Sequence, residues 1–127
     1  MKKYLLFGIL CMLVISCQKE AGMGGTASIK GKIFIQELNS LGNIKAEYYA
    51  PEEDVYIIYG DDDFYGERLR THFDGSFKFE FLHPGDYQIY AYSECDCPAG
   101  VEPIFVNINI PSSGEEILLE DIVLLKL

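Results

Sequence analysis

Apolar and polar side chains alternate along most of the chain after residue 27. In the stretch "ASIKGKIFIQEL", Ile29, Ile33 and Ile35 fall on one side of an extended backbone, and Lys30 and Lys32 fall on the other. An amphipathic helix would instead repeat its apolar positions every 3.6 residues, and no later stretch does so convincingly. The alternation therefore predicts half-buried β-strands.

Seven runs of this kind follow one another, rich in β-branched and aromatic residues. They are residues 27–38, 53–60, 67–73, 76–82, 87–93, 103–110 and 116–127. Glycine, proline and aspartate separate them, as at Asp74-Gly75 and Pro84-Gly85. Short strands at regular spacing with such turns predict an all-β, antiparallel sandwich. A parallel α/β arrangement would need crossover helices, for which the sequence has no room.

The stretch "DGSFKFEFLHPGDY", residues 74–87, combines alternation with two turns. We expect Phe77 and Phe79 to point into the core, Leu82 to close the strand, and Tyr87 to begin the next inward set. Phe81 falls in phase with the first two phenylalanines, so the alternation places it on their side. Read in this way the stretch is structural and carries no catalytic group.

The same stretch fits the pattern D-G-x-F-x-F-x-x-L-x-P-G-x-Y and resembles the carboxypeptidase regulatory-like and Cna-B-like domains. The opening "IKGKIF" and the closing "LLEDIVL" also resemble the first and last strands of that family. The resemblance covers residues 28–126 and implies a prealbumin-like, seven-stranded Greek-key sandwich. It implies little about activity, because this sandwich hosts many functions.

The first residues, "MKKYLLFGILCMLVISC", have the pattern of a secretory signal. Two lysines precede an apolar run, residues 4–15, that is too short for a permanent membrane span but typical of a signal-peptide core. The "VISC" that follows resembles the lipobox of bacterial lipoproteins. This resemblance implies that residues 1–16 are removed and that Cys17 becomes the lipidated N-terminus. An ordinary cleaved signal peptide is the alternative.

A glycine-rich, polar segment, residues 17–27, separates the proposed lipid from the sandwich at residues 28–127. Its composition predicts a flexible tether. Gln18, Lys19 and Glu20 resemble the short charged tags that send some Bacteroidota lipoproteins to the cell surface. We therefore expect an outer-membrane lipoprotein of the cell envelope, with both the periplasmic and the surface-exposed orientation open.

The net charge of the chain limits the classes of partner that it can bind. The full sequence carries 10 basic and 20 acidic residues. Loss of Lys2 and Lys3 with the signal leaves eight basic residues, so the net charge becomes 8 − 20 = −12 with neutral histidines. Such a chain repels nucleic acid and anionic lipid headgroups. We expect the membrane to be contacted through the lipid, and nucleic acid not to be a partner.

The sequence offers little for catalysis. Only His72 and His83 are present, without the spacing of a metal centre, and no serine lies in a nucleophile elbow. We therefore predict no catalytic residue, no metal and no cofactor. Asp61, Asp62 and Asp63 could gather around calcium, but consecutive residues splay apart, and a solvated turn is the better interpretation.

Cys95 and Cys97 remain as a pair once Cys11 leaves with the signal and Cys17 takes lipid. Outside the cytoplasm they could form a disulfide, although one intervening residue gives a very small ring, and a bent loop before Pro98 would be needed. Free thiols and a metal site with further ligands are the alternatives.

Aromatic residues supply the candidate binding surface. If Tyr87, Ile89 and Ala91 face the core, then the neighbouring tyrosines of the same strand face outwards. The proposed surface consists of Tyr56, Phe64, Tyr65, Tyr90 and Tyr92. Tyrosine is favoured at contact surfaces, although cross-strand pairs can also merely stabilise an exposed sheet. The sequence thus favours a non-catalytic binding, adhesion or assembly module, with a protein or a glycan as partner; capture of carbohydrate for a nutrient-uptake system is the alternative.

Overall fold

A computed structural model describes residues 20–127, which form an all-β domain. Its strands are β1 (Met23–Leu38), β2 (Ile44–Tyr49), β3 (Asp54–Tyr59), β4 (Glu67–Arg70), β5 (Ser76–Leu82), β6 (Gly85–Glu94), β7 (Val101–Ile110), β8 (Glu116–Leu118) and β9 (Ile122–Lys126). None of these described residues belongs to a helix that is long and apolar enough to cross a membrane.

The strands form two sheets. In the five-stranded sheet the long strand β1 is central: its first half pairs with β5 and β8, and its second half pairs with β2 and β9. The four-stranded sheet has the order β4-β3-β6-β7, and all its neighbours are antiparallel. The predicted β-sandwich is confirmed at this level.

Three details differ from the prediction. The described residues form nine strands, whereas seven were predicted. Strand β2 was not predicted, and the last predicted run forms two strands, β8 and β9. The expectation of purely antiparallel pairing is also wrong, since β8 and β9 run parallel to β1. A parallel pair needs a crossover connection, and here the strands of the other sheet serve as that connection in place of a helix.

The hydrophobic core lies between the two sheets. As the alternation predicts, Ile29, Ile33 and Ile35 of β1 are buried, and so are Ile89 and Ala91 of β6. The inner faces of the other strands complete one continuous core cluster. Burial of these apolar side chains is the main driving force for the association of the sheets.

One phenylalanine departs from the alternation. Phe77, Phe79 and Leu82 of β5 are buried, but Phe81 is 61% exposed and has a φ of 61°. The pairing with β1 shifts by one residue here, because Ala27 lies opposite Leu82 while Ile29 lies opposite Phe79. This bulge leaves one residue unpaired and brings Leu82 to the core in place of Phe81.

Two buried polar side chains join neighbouring parts of the sandwich. Ser93 of β6 accepts a 2.9 Å hydrogen bond from the N–H of Leu125 in β9, which connects the two sheets. Thr71 donates to the carbonyl of Ala50 and accepts from the N–H of Glu53 at 2.9 Å. Both hydroxyls are therefore satisfied, as buried polar groups need to be.

The segment before β1 is attached to the sandwich. The N–H of Gly22 donates to the hydroxyl oxygen of Tyr87 at 2.9 Å, and this hydroxyl donates to the carbonyl of His83 at 2.6 Å. Strand β1 begins at Met23, inside the segment 17–27 that its composition predicts to be a tether. The predicted signal peptide 1–16 and the predicted lipidation of Cys17 lie outside the described residues.

Candidate binding surface

The outer face of the four-stranded sheet carries a row of aromatic side chains. Tyr56 of β3 lies opposite Tyr90 of β6, and Tyr90 lies opposite Phe105 of β7. Directly opposite residues of an antiparallel pair point to the same side of the sheet. The residues on either side of them in each strand point towards the core. The register of the three strands therefore places these rings in one row.

Tyr65 and Tyr92 extend this row into a cluster of five rings, which we call the aromatic face. Tyr56 and Tyr90 stack with centroids 4.8 Å apart and an interplanar angle of 8°. Tyr65 and Tyr92 each approach Tyr56 with the ring edge, at 5.0 and 5.8 Å. Phe105 lies 5.2 Å from Tyr90. Such pairs add about 0.5–1.5 kcal/mol each beyond the area they bury, so the cluster holds its own shape.

The aromatic face is accessible. Tyr92 is 46% exposed and Phe105 is 51% exposed, while Tyr56 and Tyr90 are partly buried between them. Burial among the neighbouring phenols raises the pKa of Tyr90 above its usual value, so its hydroxyl is neutral at physiological pH. At Tyr90 the surface therefore presents an uncharged ring and hydroxyl group.

Polar side chains border the aromatic face towards one end of the sheet. Gln88 donates to the side-chain oxygen of Asn107 at 3.0 Å, and Asn109 donates to Asp86 at 2.8 Å. These four side chains, which we call the polar margin, help to line an open depression of ≈ 540 Å³. Amide and carboxylate groups next to aromatic rings can accept and donate hydrogen bonds to a hydroxyl-rich ligand.

The structure brings four of the five proposed surface residues together and leaves one apart. Tyr56, Tyr65, Tyr90 and Tyr92 contact one another within the aromatic face. Phe64 is 81% exposed, and its ring is not among the aromatic pairs of the described residues. Phe105 was missed, although its place in the alternating run 103–110 already put it on the outward side.

The Cys95 and Cys97 loop lies at the far end of β6 from this polar margin. Their Cα atoms are 5.3 Å apart, within the range that a disulfide spans, and the two sulfur atoms are in bonding contact. The loop is bent, with the N–H of Cys95 donating to the carbonyl of Gly100 at 3.1 Å. This geometry is compatible with the predicted disulfide, which would form a small ring inside the loop between β6 and β7.

Of the remaining candidate residues, Asp61 and Asp62 also line the depression beside the polar margin. Asp61, Asp62 and Asp63 are exposed in the loop between β3 and β4, and His72 is exposed in the turn before β5. Within residues 20–127, no three His, Cys, Asp or Glu side chains are grouped as a metal ion would require.

Comparison with known proteins adds little to this description. No protein-family model matches the sequence, and no curated protein matches it. One solved structure with a similar shape, from Pseudomonas aeruginosa, is called a "putative carbohydrate binding protein". It is 14% identical, with a TM-score of 0.49, and the match covers 84% of this chain and 93% of that one. A likeness this distant bears neither on the fold nor on the ligand of the present chain.

Proposed function

We propose that the chain is a non-catalytic binding module of a bacterial cell envelope, held at the outer membrane by lipid on Cys17. The observation that supports the proposal is the aromatic face, because it gathers five rings from three strands and one loop on one accessible surface. If the rings only stabilised the sheet, pairs of rings on neighbouring strands would be sufficient, and no ring from a loop would be needed. Tyr65, which comes from the loop before β4, is the clearest addition of this kind.

A protein of the envelope is the partner that we propose first. Rigid tyrosines provide a large contact area at a low cost in side-chain entropy, which is why they are enriched at protein interfaces. The chain would then act in adhesion or in the assembly of an envelope complex.

Carbohydrate capture is the second candidate, and the polar margin favours it. A sugar ring stacks on an aromatic side chain through its C–H groups, while its hydroxyls need hydrogen-bond partners close by. Gln88, Asn107 and Asp86 lie beside the aromatic face and offer such partners. The chain would then be an accessory of a nutrient-uptake system.

The fold is also part of the proposal. We infer a Greek-key sandwich of prealbumin type, related to the carboxypeptidase regulatory-like and Cna-B-like domains. The sequence pattern of residues 74–87 supports this relationship, and the two-sheet architecture is compatible with it.

Replacement of Tyr92 by alanine tests the binding surface. The full chain, purified in detergent, is immobilised and exposed to a detergent extract of envelopes from the producing cells and to a panel of neutral oligosaccharides. We expect Tyr92→Ala to weaken binding by at least about tenfold, as the loss of a well-packed interface tyrosine can do. Tyr49→Ala is the matched control, because Tyr49 is also about half exposed, at 41%, but lies on the other sheet.

The outcomes separate the two candidates. Binding of an oligosaccharide that depends on Tyr92 supports carbohydrate capture, whereas Tyr92-dependent binding of an envelope protein alone supports adhesion or assembly. Equal binding by wild type, Tyr92→Ala and Tyr49→Ala would overturn the assignment of the aromatic face.

The orientation at the membrane is tested separately by protease treatment of intact cells, with a periplasmic protein as internal control. Removal of the domain while the control survives would place it outside the cell and direct the search to extracellular partners. Protection until the outer membrane is opened would direct the search to periplasmic partners and would exclude surface adhesion.

A further inference from the structure

Strand β7 forms one edge of the four-stranded sheet, and no described strand covers it. It pairs with β6 over its full length of ten residues, from Val101 opposite Glu94 to Ile110 opposite Gly85, without a shift in register. A long, regular edge is a template for the addition of another strand, because its outward backbone groups lack partners.

The outward backbone groups of β7 can be identified from two hydrogen bonds. The N–H of Cys95 reaches the carbonyl of Gly100, and the N–H of Gly60 reaches the carbonyl of Asp86. Odd-numbered residues of β6 therefore direct their backbone groups towards β7, and even-numbered ones direct them towards β3. With the observed register, the odd-numbered residues of β7 direct theirs away from the sheet.

Pro103 agrees with this assignment. A proline has no N–H and is tolerated in an edge strand where its nitrogen faces away from the sheet. The free edge consequently offers the N–H groups of Val101, Phe105, Asn107 and Asn109, together with the carbonyls of Pro103, Phe105, Asn107 and Asn109. These groups form a ladder that a second strand could complete.

The other edges of the molecule are protected by the devices that prevent such pairing, namely charge, shortness and bulges. Strand β4 has four residues, three of them charged; β2 carries Lys45 and Glu47; and β5 carries Lys78, Glu80 and the bulge at Phe81. In β7 the one charged residue is Glu102, next to its beginning. Strands β8 and β9 are also outer strands, with three and five residues, and the N–H of Leu125 in β9 already donates to Ser93. Among the described residues β7 is therefore the longest and least protected edge.

We propose that β7 pairs antiparallel with β7 of a second copy, so that two four-stranded sheets join into one continuous sheet. Self-pairing suits this strand because an antiparallel copy places Glu102 opposite the uncharged end of its partner, and the two carboxylates stay apart. The rest of the molecule is strongly acidic, so the nearly neutral β7 is where two copies meet with little repulsion.

The pairing also extends the aromatic face. In the joined sheet, outward side chains of both copies stay on one side only if odd-numbered residues of one β7 lie opposite odd-numbered residues of the other. This register brings the two Phe105 residues near the centre of the shared ladder. The two-fold axis is perpendicular to the sheet, so both aromatic faces lie on the same side. Neighbouring strands are about 4.8 Å apart, and the row of rings would continue from one copy into the next.

Site-specific photo-crosslinking in cells tests the pairing on the full chain. A photoreactive phenylalanine replaces Asn109 on the open edge or, as control, Glu47 on the protected edge of β2, and two differently tagged copies are co-expressed. We expect a crosslinked product that carries both tags from position 109 and none from position 47. Crosslinks from position 109 to another protein alone, or no crosslinks, would overturn the proposal.

A matched pair of variants then tests the backbone ladder itself. Asn107→Pro removes the outward N–H, whereas Asn107→Ala keeps it, and both lose the side-chain bond to Gln88. We expect Asn107→Pro to reduce the two-tag product by at least about tenfold, since each copy loses a backbone hydrogen bond, and Asn107→Ala to leave it within about twofold. Equal yields from the two variants would contradict the ladder. Circular dichroism checks that both fold, and if Asn107→Pro does not, the crosslink at position 109 decides.

Discussion

The outer faces of the two sheets use the same alternation of side chains but present different chemistry. On the four-stranded sheet the rings contact one another and form the aromatic face. On the outer face of the five-stranded sheet the one described ring pair, Phe34 and Tyr49, lies beside charged groups. The hydroxyl of Tyr49 donates to Asp121 at 2.7 Å, and the Lys32 ammonium lies 4.8 Å from the centroid of the Tyr49 ring. The tyrosines of the aromatic face contact other rings, whereas Tyr49 contacts a carboxylate and an ammonium group.

The largest effect on stability is expected in the hydrophobic core between the two sheets. Phe79→Ala should lower the free energy of unfolding by about 3–5 kcal/mol, because it empties a fully buried site. Phe81→Ala, two residues along the same strand, should cost no more than about 0.5 kcal/mol, because the bulge turns Phe81 outwards. Chemical unfolding measures both values. A similar cost for the two variants would mean that the bulge is misplaced.

The next effect concerns the connection between the sheets at one end. Tyr87→Phe removes the hydroxyl of β6 that bonds to Gly22, just before β1, and to His83. We expect a loss of about 1–3 kcal/mol, since these backbone groups would lose a buried partner. Tyr49→Phe removes an exposed hydroxyl on the other sheet and should stay within about 0.5 kcal/mol. Hydrogen exchange at the Gly22 amide should accelerate in Tyr87→Phe alone; unchanged exchange would argue against the attachment.

The smallest effects concern how the free energy of unfolding depends on pH, and they have opposite signs in the two sheets. Burial raises the pKa of Glu67 in β4, so the folded chain holds this proton more tightly than the unfolded chain does. The stabilising contribution is complete below the ordinary glutamate pKa and is lost as the pH rises through the raised pKa. Glu67→Gln should therefore gain about 0.5 kcal/mol at neutral pH relative to wild type. Unfolding measured between about pH 4 and pH 7 checks this, and a loss at neutral pH would contradict it.

At the entry to β5 the sign is reversed. Hydrogen bonds from the Ser76 hydroxyl and N–H lower the pKa of Asp74. Its contribution to stability is present above the ordinary aspartate pKa and is lost as the pH falls through the lowered pKa. Asp74→Asn should lower stability at neutral pH and leave it nearly unchanged below the lowered pKa, so that the acid side of the stability profile becomes flatter. An unaltered acid side would show that the turn does not depend on this charge.

The sequence was most informative where alternation is strong. Strands β1, β3, β5 and β6 carry β-branched or aromatic residues at most alternate positions, and their inward sets were predicted correctly apart from Phe81. The bulge could not be read from the pattern, because it depends on the pairing of Ala27 with Leu82. Strand β2 was missed because neither of its faces is buried, so burial imposes no apolar period on it.

The candidate surface shows a similar division. Outward tyrosines of β3 and β6 followed from the period of two, but their mutual contacts depend on the register of the two strands. Phe105 was overlooked because the order of strands, which places β7 beside β6, is not visible in a single sequence. Phe64 was included because it lies in the same loop as Tyr65. Side chains in a loop follow no regular period, so the sequence does not show which of these two residues turns towards the sheet.

Attachment of the segment before β1 has a mechanical consequence. Tension applied through a lipid on Cys17 would enter the domain at Ala21 and run along β1, which is hydrogen-bonded on both sides: Lys30 lies opposite Lys78 and Leu118, and Phe34 lies opposite Tyr49 and Val123. Because these bonds are perpendicular to the pull, they must shear together and cannot open one at a time. Strand β1 would therefore resist extraction from its sheet.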